Sequence, residues 1–158
     1  MIREITFTLN GEERKVAVEP NDLLLDVLRD RMGIKSPKYG CGRGDCGTCT
    51  IVFNGQTARS CIMLAVEADG QKIETLEGVG RDGLTPLQEE FIARNSFQCG
   101  YCAPGMILAA TELLENNSNP SEEEIKEAIA GNLCRCTGYT AIIEAIKAAA
   151  EKLSAKAS

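Results

Sequence analysis

Eight cysteines constrain the fold of this chain more than any other feature of its 158-residue sequence. They form two quartets, one in each half of the chain: the first is Cys41, Cys46, Cys49 and Cys61, and the second is Cys99, Cys102, Cys134 and Cys136. The N-terminus lacks the apolar run and small-residue cleavage site of a signal peptide, so we predict a cytoplasmic location. In that reducing compartment cysteines act as metal ligands or redox groups rather than as disulfides.

The first quartet has the spacing C-x4-C-x2-C, and Cys61 follows after eleven residues. This spacing is typical of plant-type [2Fe–2S] ferredoxins, although their last gap is much longer. Three sulfurs from nine residues reach one diiron centre only if the backbone curls tightly, which requires conformations that glycine adopts cheaply. The loop supplies four glycines: Gly40, Gly42, Gly44 and Gly47. Small residues also bring backbone N–H groups close to the sulfurs, where they help to set the reduction potential.

The second quartet consists of a CxxC pair and, thirty-one residues later, a CxC pair. Cys102 immediately precedes Ala103-Pro104, which predicts a helix start. The CxC pair lies between Gly131 and Gly138, which permit the turn that two ligands so close together need. Helix N-termini after Cys102 and near Gly138 would direct their positive dipole ends at a negatively charged cluster. We therefore predict that both pairs converge on one centre between helices.

The residues alone leave three kinds of site open. Two zinc ions with four thiolates each fit the ligand count, and the CxxC pairs resemble zinc-ribbon doublets or dithiol redox pairs. The glycine-rich loop and the two complete quartets favour iron–sulfur clusters. Histidine is absent, which excludes His-based zinc sites, a Rieske cluster, haem ligation by His, and Ser–His or Cys–His catalytic pairs.

The remaining composition argues against other functions. A formal net charge of −6 and the absence of tryptophan disfavour nucleic-acid binding. No run of about 20 apolar residues predicts a transmembrane segment. We find no nucleophile–base pair and no glycine-rich nucleotide loop, so we assign no catalytic residue and expect cofactors to supply the chemistry.

The pattern predicts an α+β fold in two domains. Residues 1–77 predict a small α+β unit with turns at Asn10-Gly11 and Asn54-Gly55, a helix from Leu24 to Met32, and strands that include Thr48 to Phe53 and Lys72 to Leu76. Residues 78–84 contain three glycines and read as a linker. Residues 85–153 predict a bundle of four amphipathic helices, and residues 154–158 a frayed tail. The helix starts are placed at Thr85-Pro86, Ala103-Pro104, Ser121 and about Gly138.

Three motifs, each containing cysteine ligands, make the chain recognisable. They are Tyr39-Gly-Cys-Gly-Arg-Gly-Asp-Cys-Gly-Thr-Cys49, Gln98-Cys-Gly-Tyr-Cys-Ala-Pro-Gly-Met106 and Gly131-Asn-Leu-Cys-Arg-Cys-Thr-Gly-Tyr139. Together they resemble the small iron–sulfur subunit of the molybdenum hydroxylases, the family of xanthine dehydrogenase, aldehyde oxidoreductase and carbon monoxide dehydrogenase. The resemblance covers roughly residues 3–150, and the short gap before Cys61 is the family's own.

The resemblance implies a β-grasp domain with one [2Fe–2S] cluster on the first quartet, followed by a four-helix domain with a second [2Fe–2S] cluster on the second quartet. It implies that Gln98 contacts the molybdopterin. Electrons would pass between the molybdopterin site of a large subunit, near the helical-domain cluster, and FAD on a medium subunit, in a dimer of heterotrimers. A free-standing two-cluster ferredoxin is the alternative. The substrate would be selected on another chain.

Overall fold

The computed structural model describes residues 1–157, and within them the chain is a mixed α/β protein with one five-stranded sheet and five α-helices. The strands are β1 (Arg3–Leu9), β2 (Glu12–Val18), β3 (Thr50–Phe53), β4 (Gln56–Arg59) and β5 (Lys72–Glu74). The helices are α1 (Leu24–Asp26), α2 (Pro86–Ala93), α3 (Ala103–Asn116), α4 (Glu122–Ile129) and α5 (Thr140–Ala157). None of these helices is long and apolar enough to cross a membrane.

The sheet has the strand order β2-β1-β5-β3-β4. Strands β1 and β5 are parallel, and all other neighbours are antiparallel. Asn10 and Gly11 have φ of 51° and 81°, as a two-residue hairpin turn requires, which confirms the turn predicted there. Asn54-Gly55 forms the corresponding turn between β3 and β4. Strand β4 itself was not predicted, because its sequence Gln-Thr-Ala-Arg has no apolar alternation.

Helix α1 continues directly into a π-helical segment, Val27–Arg31. The wider turn is visible in the hydrogen bond from the Met32 N–H to the Val27 carbonyl, at 3.0 Å. The predicted helix from Leu24 to Met32 is thus in the right place, but most of it is not α-helical. Leu24, Val27 and Leu28 are fully buried against the sheet. The segment also carries Arg29, whose side chain binds the carbonyls of Lys35 and Pro37 just before the first cysteine loop.

The C-terminal half contains α2 to α5 around a second apolar core. Thr85 and Ser121 cap α2 and α4, each through a capping box with the residue three positions later, as the sequence predicts for Ser121. The chief buried side chains of this core are Leu87, Phe91, Met106, Ile125, Ile142 and Ile146. Helix α5 packs on both α2 and α4, so the helices form one body beneath the second quartet.

The last helix differs from the prediction. We placed a frayed tail at 154–158, whereas α5 continues to Ala157. Alanine and lysine favour helix, and no glycine or proline follows Leu153 to stop it. The Ser154 hydroxyl also donates to the Ser118 carbonyl at 3.1 Å. Ser158, the end of the predicted tail, lies outside the described residues.

The connection at 78–84 consists of turns. It is held to the N-terminal half, because Arg81 binds the Asn10 carbonyl and the Glu12 carboxylate at 3.2 and 2.6 Å. A Cβ at Gly78 would lie 2.5 Å from Asn10 Oδ1, so the backbone passes close to the first hairpin. The two halves then meet directly, with α3 packed on β3 and β4.

Candidate metal centres

The first quartet begins in a loop, residues 38–49, that two hydrogen bonds close at its base. The Lys38 N–H donates to the Thr48 carbonyl at 2.8 Å, and the Thr48 hydroxyl donates to the Lys38 carbonyl at 3.1 Å. Inside the loop, the Cys41 sulfur accepts backbone N–H groups at 3.2–3.5 Å from Arg43, Asp45 and Cys46. These N–H groups, first that of Arg43, lower the pKa of Cys41 to about 6. The loop therefore favours the thiolate, which is the form that binds metal.

The glycines of this loop are required by its geometry, as predicted. Gly42, Gly44 and Gly47 have φ of 67°, 87° and 76°, a region that side chains disfavour. Gly40 is needed for space instead, because a Cβ there would lie 2.5 Å from the Cys46 sulfur.

The other two thiols of the first quartet are buried. Cys49 and Cys61 lie against each other and against Leu25, at 2% and 4% exposure. Burial raises the pKa of Cys49 to about 11. The Ser60 hydroxyl donates to the Cys49 carbonyl at 2.7 Å and ties the two ligand segments together. Binding of a metal to the Cys49 sulfur must therefore release a proton.

The second quartet is assembled from the start of α3 and the turn before α5. The sulfurs of Cys99 and Cys136 lie 3.5 Å apart, and both residues are exposed. Cys102 is buried and contacts Cys134, and burial raises the pKa of Cys102 to about 12. The Cys134 sulfur accepts the hydroxyl of Thr137 at 3.1 Å. The structure thus brings the two predicted cysteine pairs together.

Gln98, the predicted molybdopterin contact, is exposed beside the outer pair. Its Nε2 donates to the Cys136 carbonyl at 3.0 Å and braces the ligand turn. The Tyr139 hydroxyl braces the same turn by accepting the Cys134 N–H at 2.8 Å. The role of Gln98 toward a pterin stays a prediction.

Both quartets present their sulfurs in two pairs: Cys41 with Cys46, Cys49 with Cys61, Cys99 with Cys136, and Cys102 with Cys134. Among residues 1–157, no three Cys, Asp or Glu side chains are arranged around a single metal ion. A [2Fe–2S] cluster has two irons and takes two cysteines on each. An all-thiol donor set in two pairs, with backbone N–H groups directed at sulfur, therefore fits such a cluster.

The loops that carry the two quartets are in direct contact, which the sequence alone does not predict. The Leu133 N–H, next to Cys134, donates to the carbonyl of Cys46 at 2.9 Å. Asn132 is 2% exposed, and its Nδ2 donates to the Gly47 carbonyl at 3.2 Å. Its Oδ1 is buried without a hydrogen-bond partner among the described residues. Leu133, next to Cys134, and Gly47, next to Cys46, therefore take part in one polar junction between the two quartets.

Arg59 joins the same junction from β4. Its guanidinium donates to the Thr50 hydroxyl at 2.6 Å and to the Gly131 carbonyl at 2.8 Å. Nothing in the local sequence of Arg59 signals this role, because its partner Gly131 lies 72 residues away.

Two family models match this chain, one for each half. A model described as a 2Fe-2S iron-sulfur cluster binding domain matches residues 7–80. A second, described as a [2Fe-2S] binding domain, matches residues 75–147. The fold and the two loops therefore define a protein with two [2Fe–2S]-binding domains, and the zinc alternative is disfavoured.

Sequence and structural similarity to individual proteins indicates which family of two-cluster proteins this chain belongs to. The chain is 51% identical to the nicotinate dehydrogenase small FeS subunit of Eubacterium barkeri, over 94% of this chain and 95% of that one. Quinoline 2-oxidoreductase from Pseudomonas putida 86 contains a chain with a TM-score of 0.93 and 44% identity, covering 98% and 97% of the two chains. The aldehyde oxidoreductase of Desulfovibrio desulfuricans matches with a TM-score of 0.93 and 41% identity, over 97% of this chain but 17% of that one.

This chain belongs to the small iron–sulfur subunits of the molybdenum hydroxylases. Its role is electron transfer within a multi-subunit oxidoreductase, as the relatives that are subunits of such complexes indicate.

Proposed function

We propose that this chain relays electrons between a molybdopterin site on a large subunit and FAD on a medium subunit, through one [2Fe–2S] cluster on each quartet. The observation that carries this proposal is the convergence of two all-cysteine sites whose loops touch through the Leu133–Cys46 hydrogen bond. The clusters would supply one-electron chemistry. This chain's residues would hold the clusters, set their environments and fix their separation.

The exposure of the cysteines supports one orientation of this chain between its two proposed partner subunits. Cys99 and Cys136 are exposed next to Gln98, so this edge would face the molybdopterin. The first quartet would lie toward the FAD. Its neighbour Ile62 is 59% exposed, and Leu64 is 41% exposed, which suits a docking face for a partner subunit.

We further propose the finer architecture implied by the family resemblance. The mixed sheet with parallel β1 and β5 supports a β-grasp domain at 1–77, and the packing of α2 to α5 supports a four-helix bundle at 85–153. The connection at 78–84 would be the domain boundary. A cytoplasmic location and a dimer of heterotrimers belong to the same proposal.

The free-standing ferredoxin is the less favoured alternative, because the relatives include small subunits of multi-subunit enzymes. Metal and flavin analysis of the native complex separates the two functions. We expect co-purifying large and medium chains with FAD, and about four irons per molybdenum for two [2Fe–2S] clusters. Iron without molybdenum or partner chains would support the free-standing carrier, and zinc in place of iron would contradict both.

Replacing Gln98 by alanine is expected to leave both clusters assembled and to slow turnover of the complex by about tenfold or more. All eight cysteines remain in this variant, while the amide beside Cys136 is lost. Iron content, cluster EPR and steady-state turnover measure the result. Gln98→Glu is the matched control, since it keeps the length and an acceptor oxygen but removes the N–H donor. Loss of cluster iron in Gln98→Ala would make Gln98 a structural residue instead.

A further inference from the structure

Arg59 occupies an unusual position between the two quartets. It is half-buried on β4, two residues before the ligand Cys61. One guanidinium nitrogen binds Thr50, next to Cys49, and the other binds Gly131, in the turn that carries the second quartet. A single side chain therefore joins the Thr50 hydroxyl, beside the first quartet, to the Gly131 carbonyl, in the turn of the second.

The Arg59 charge is not compensated by an acid. Among the described residues Arg59 forms no ion pair with a carboxylate, whereas Arg31 and Arg94 each form one. Both of its hydrogen-bond acceptors are neutral oxygens. The guanidinium stands close to two members of the first quartet, because it binds the residue after Cys49 and belongs to the residue two positions before Cys61. Full charge at a partly buried position has a stronger effect than at an exposed one.

We propose that Arg59 is a positioning residue that holds the two ligand loops together and raises the reduction potential of the N-terminal cluster, so that the electron favours this cluster. This inference rests on the proposed function, because it requires a cluster on each quartet. Reduction adds one negative charge to a cluster, and a fixed positive charge beside Cys49 stabilises that added charge. The hydrogen bond to Gly131 keeps the guanidinium at the junction rather than in solvent.

Three variants separate charge from geometry. Arg59→Gln removes the charge, and Arg59→Lys keeps the charge but loses the two-pronged contact. Gly131→Ala keeps Arg59, but its new Cβ would lie 2.5 Å from the end of the Arg59 side chain and displace it from the Gly131 carbonyl. The matched control is Arg43→Gln, which removes an equal charge from the first ligand loop. Arg43 is 78% exposed and already paired with Asp45.

The measurement is an EPR-monitored redox titration of the assembled complex, with the N-terminal signal assigned through Cys41→Ser. For Arg59→Gln we expect the equilibrium ratio of electrons on the N-terminal cluster to electrons on the C-terminal cluster to fall about tenfold. For a one-electron couple, this equals a change of about 59 mV in the difference between the two reduction potentials. Arg59→Lys should recover most of this shift, Gly131→Ala should move the ratio in the same direction by less, and Arg43→Gln should change it least.

Unchanged potentials in Arg59→Gln, or an equal shift in Arg43→Gln, would overturn the inference. If Arg59→Gln fails to load iron, the test rests on Gly131→Ala. An unchanged reduction potential of the N-terminal cluster in Gly131→Ala would then overturn the inference. Iron content and both EPR signals of the unmodified complex are recorded first. Their absence would refute the proposed function, whereas two intact clusters with an unmoved potential would refute only the role of Arg59.

Discussion

Replacement of Cys102 by serine is expected to remove the C-terminal cluster and stop electron transfer through the chain. Cys102 is 7% exposed and contacts Cys134, so no solvent ligand replaces it easily. A buried serine hydroxyl stays protonated and binds iron poorly, because metal ligands must be deprotonated. Iron should fall from about four to about two atoms per chain. Turnover of the complex should fall by about 100-fold or more.

The counterpart in the first quartet is the control for this prediction. Cys46→Ser should remove the other EPR signal and leave the one that Cys102→Ser abolishes. Cys136→Ser, at the exposed edge, should reproduce the loss seen with Cys102→Ser. A Cys102→Ser variant with normal turnover and both cluster signals would show that the ligand assignment is wrong.

Replacement of Gly47 by alanine is expected to lower the free energy of unfolding by about 3 kcal/mol or more. Gly47 has φ of +76°, and a Cβ there would lie 2.4 Å from the Gly131 carbonyl oxygen and 2.9 Å from the Asn132 Cα. Both atoms belong to backbone, so neither moves aside without separating the two ligand loops. Chemical denaturation of the cluster-loaded chain measures the change.

Gly42→Ala is the matched control, because Gly42 lies in the same loop with φ of +67° but has nothing within 4 Å of its added Cβ. Only the backbone conformation is penalised there, at a cost of about 1–2 kcal/mol. Equal destabilisation by the two substitutions would mean that the close junction is not the reason for glycine at position 47.

The sequence predicts the parts of the site that are local. Cys41, Cys46 and Cys49 share one short loop, and the glycines around them are explained by the same curl of the backbone. The hairpin turn at Asn10-Gly11 is equally local, since two residues determine its conformation. The family relationship was also predictable, because three separate motifs occur in one order.

The junction was not predictable, because its contacts join distant segments. Leu133 and Cys46 lie far apart in the sequence, and neither residue type favours such a contact. Arg59 lies on β4, and the polar sequence of this strand resembles that of a loop. The π-helical segment Val27–Arg31 was missed for another reason: its apolar spacing is that of an ordinary helix, and the widened turn is a product of packing.

The hydrogen bond from Leu133 to Cys46 also bears on how similar chains occur within larger proteins. Contacts within the chain hold its two cysteine-bearing loops against each other. Because these contacts are internal, we expect the same pair of loops to form in a separate polypeptide and in a segment of a longer one. The matches reflect both arrangements, since nearly the same length forms a whole subunit in nicotinate dehydrogenase and 17% of a single chain in aldehyde oxidoreductase.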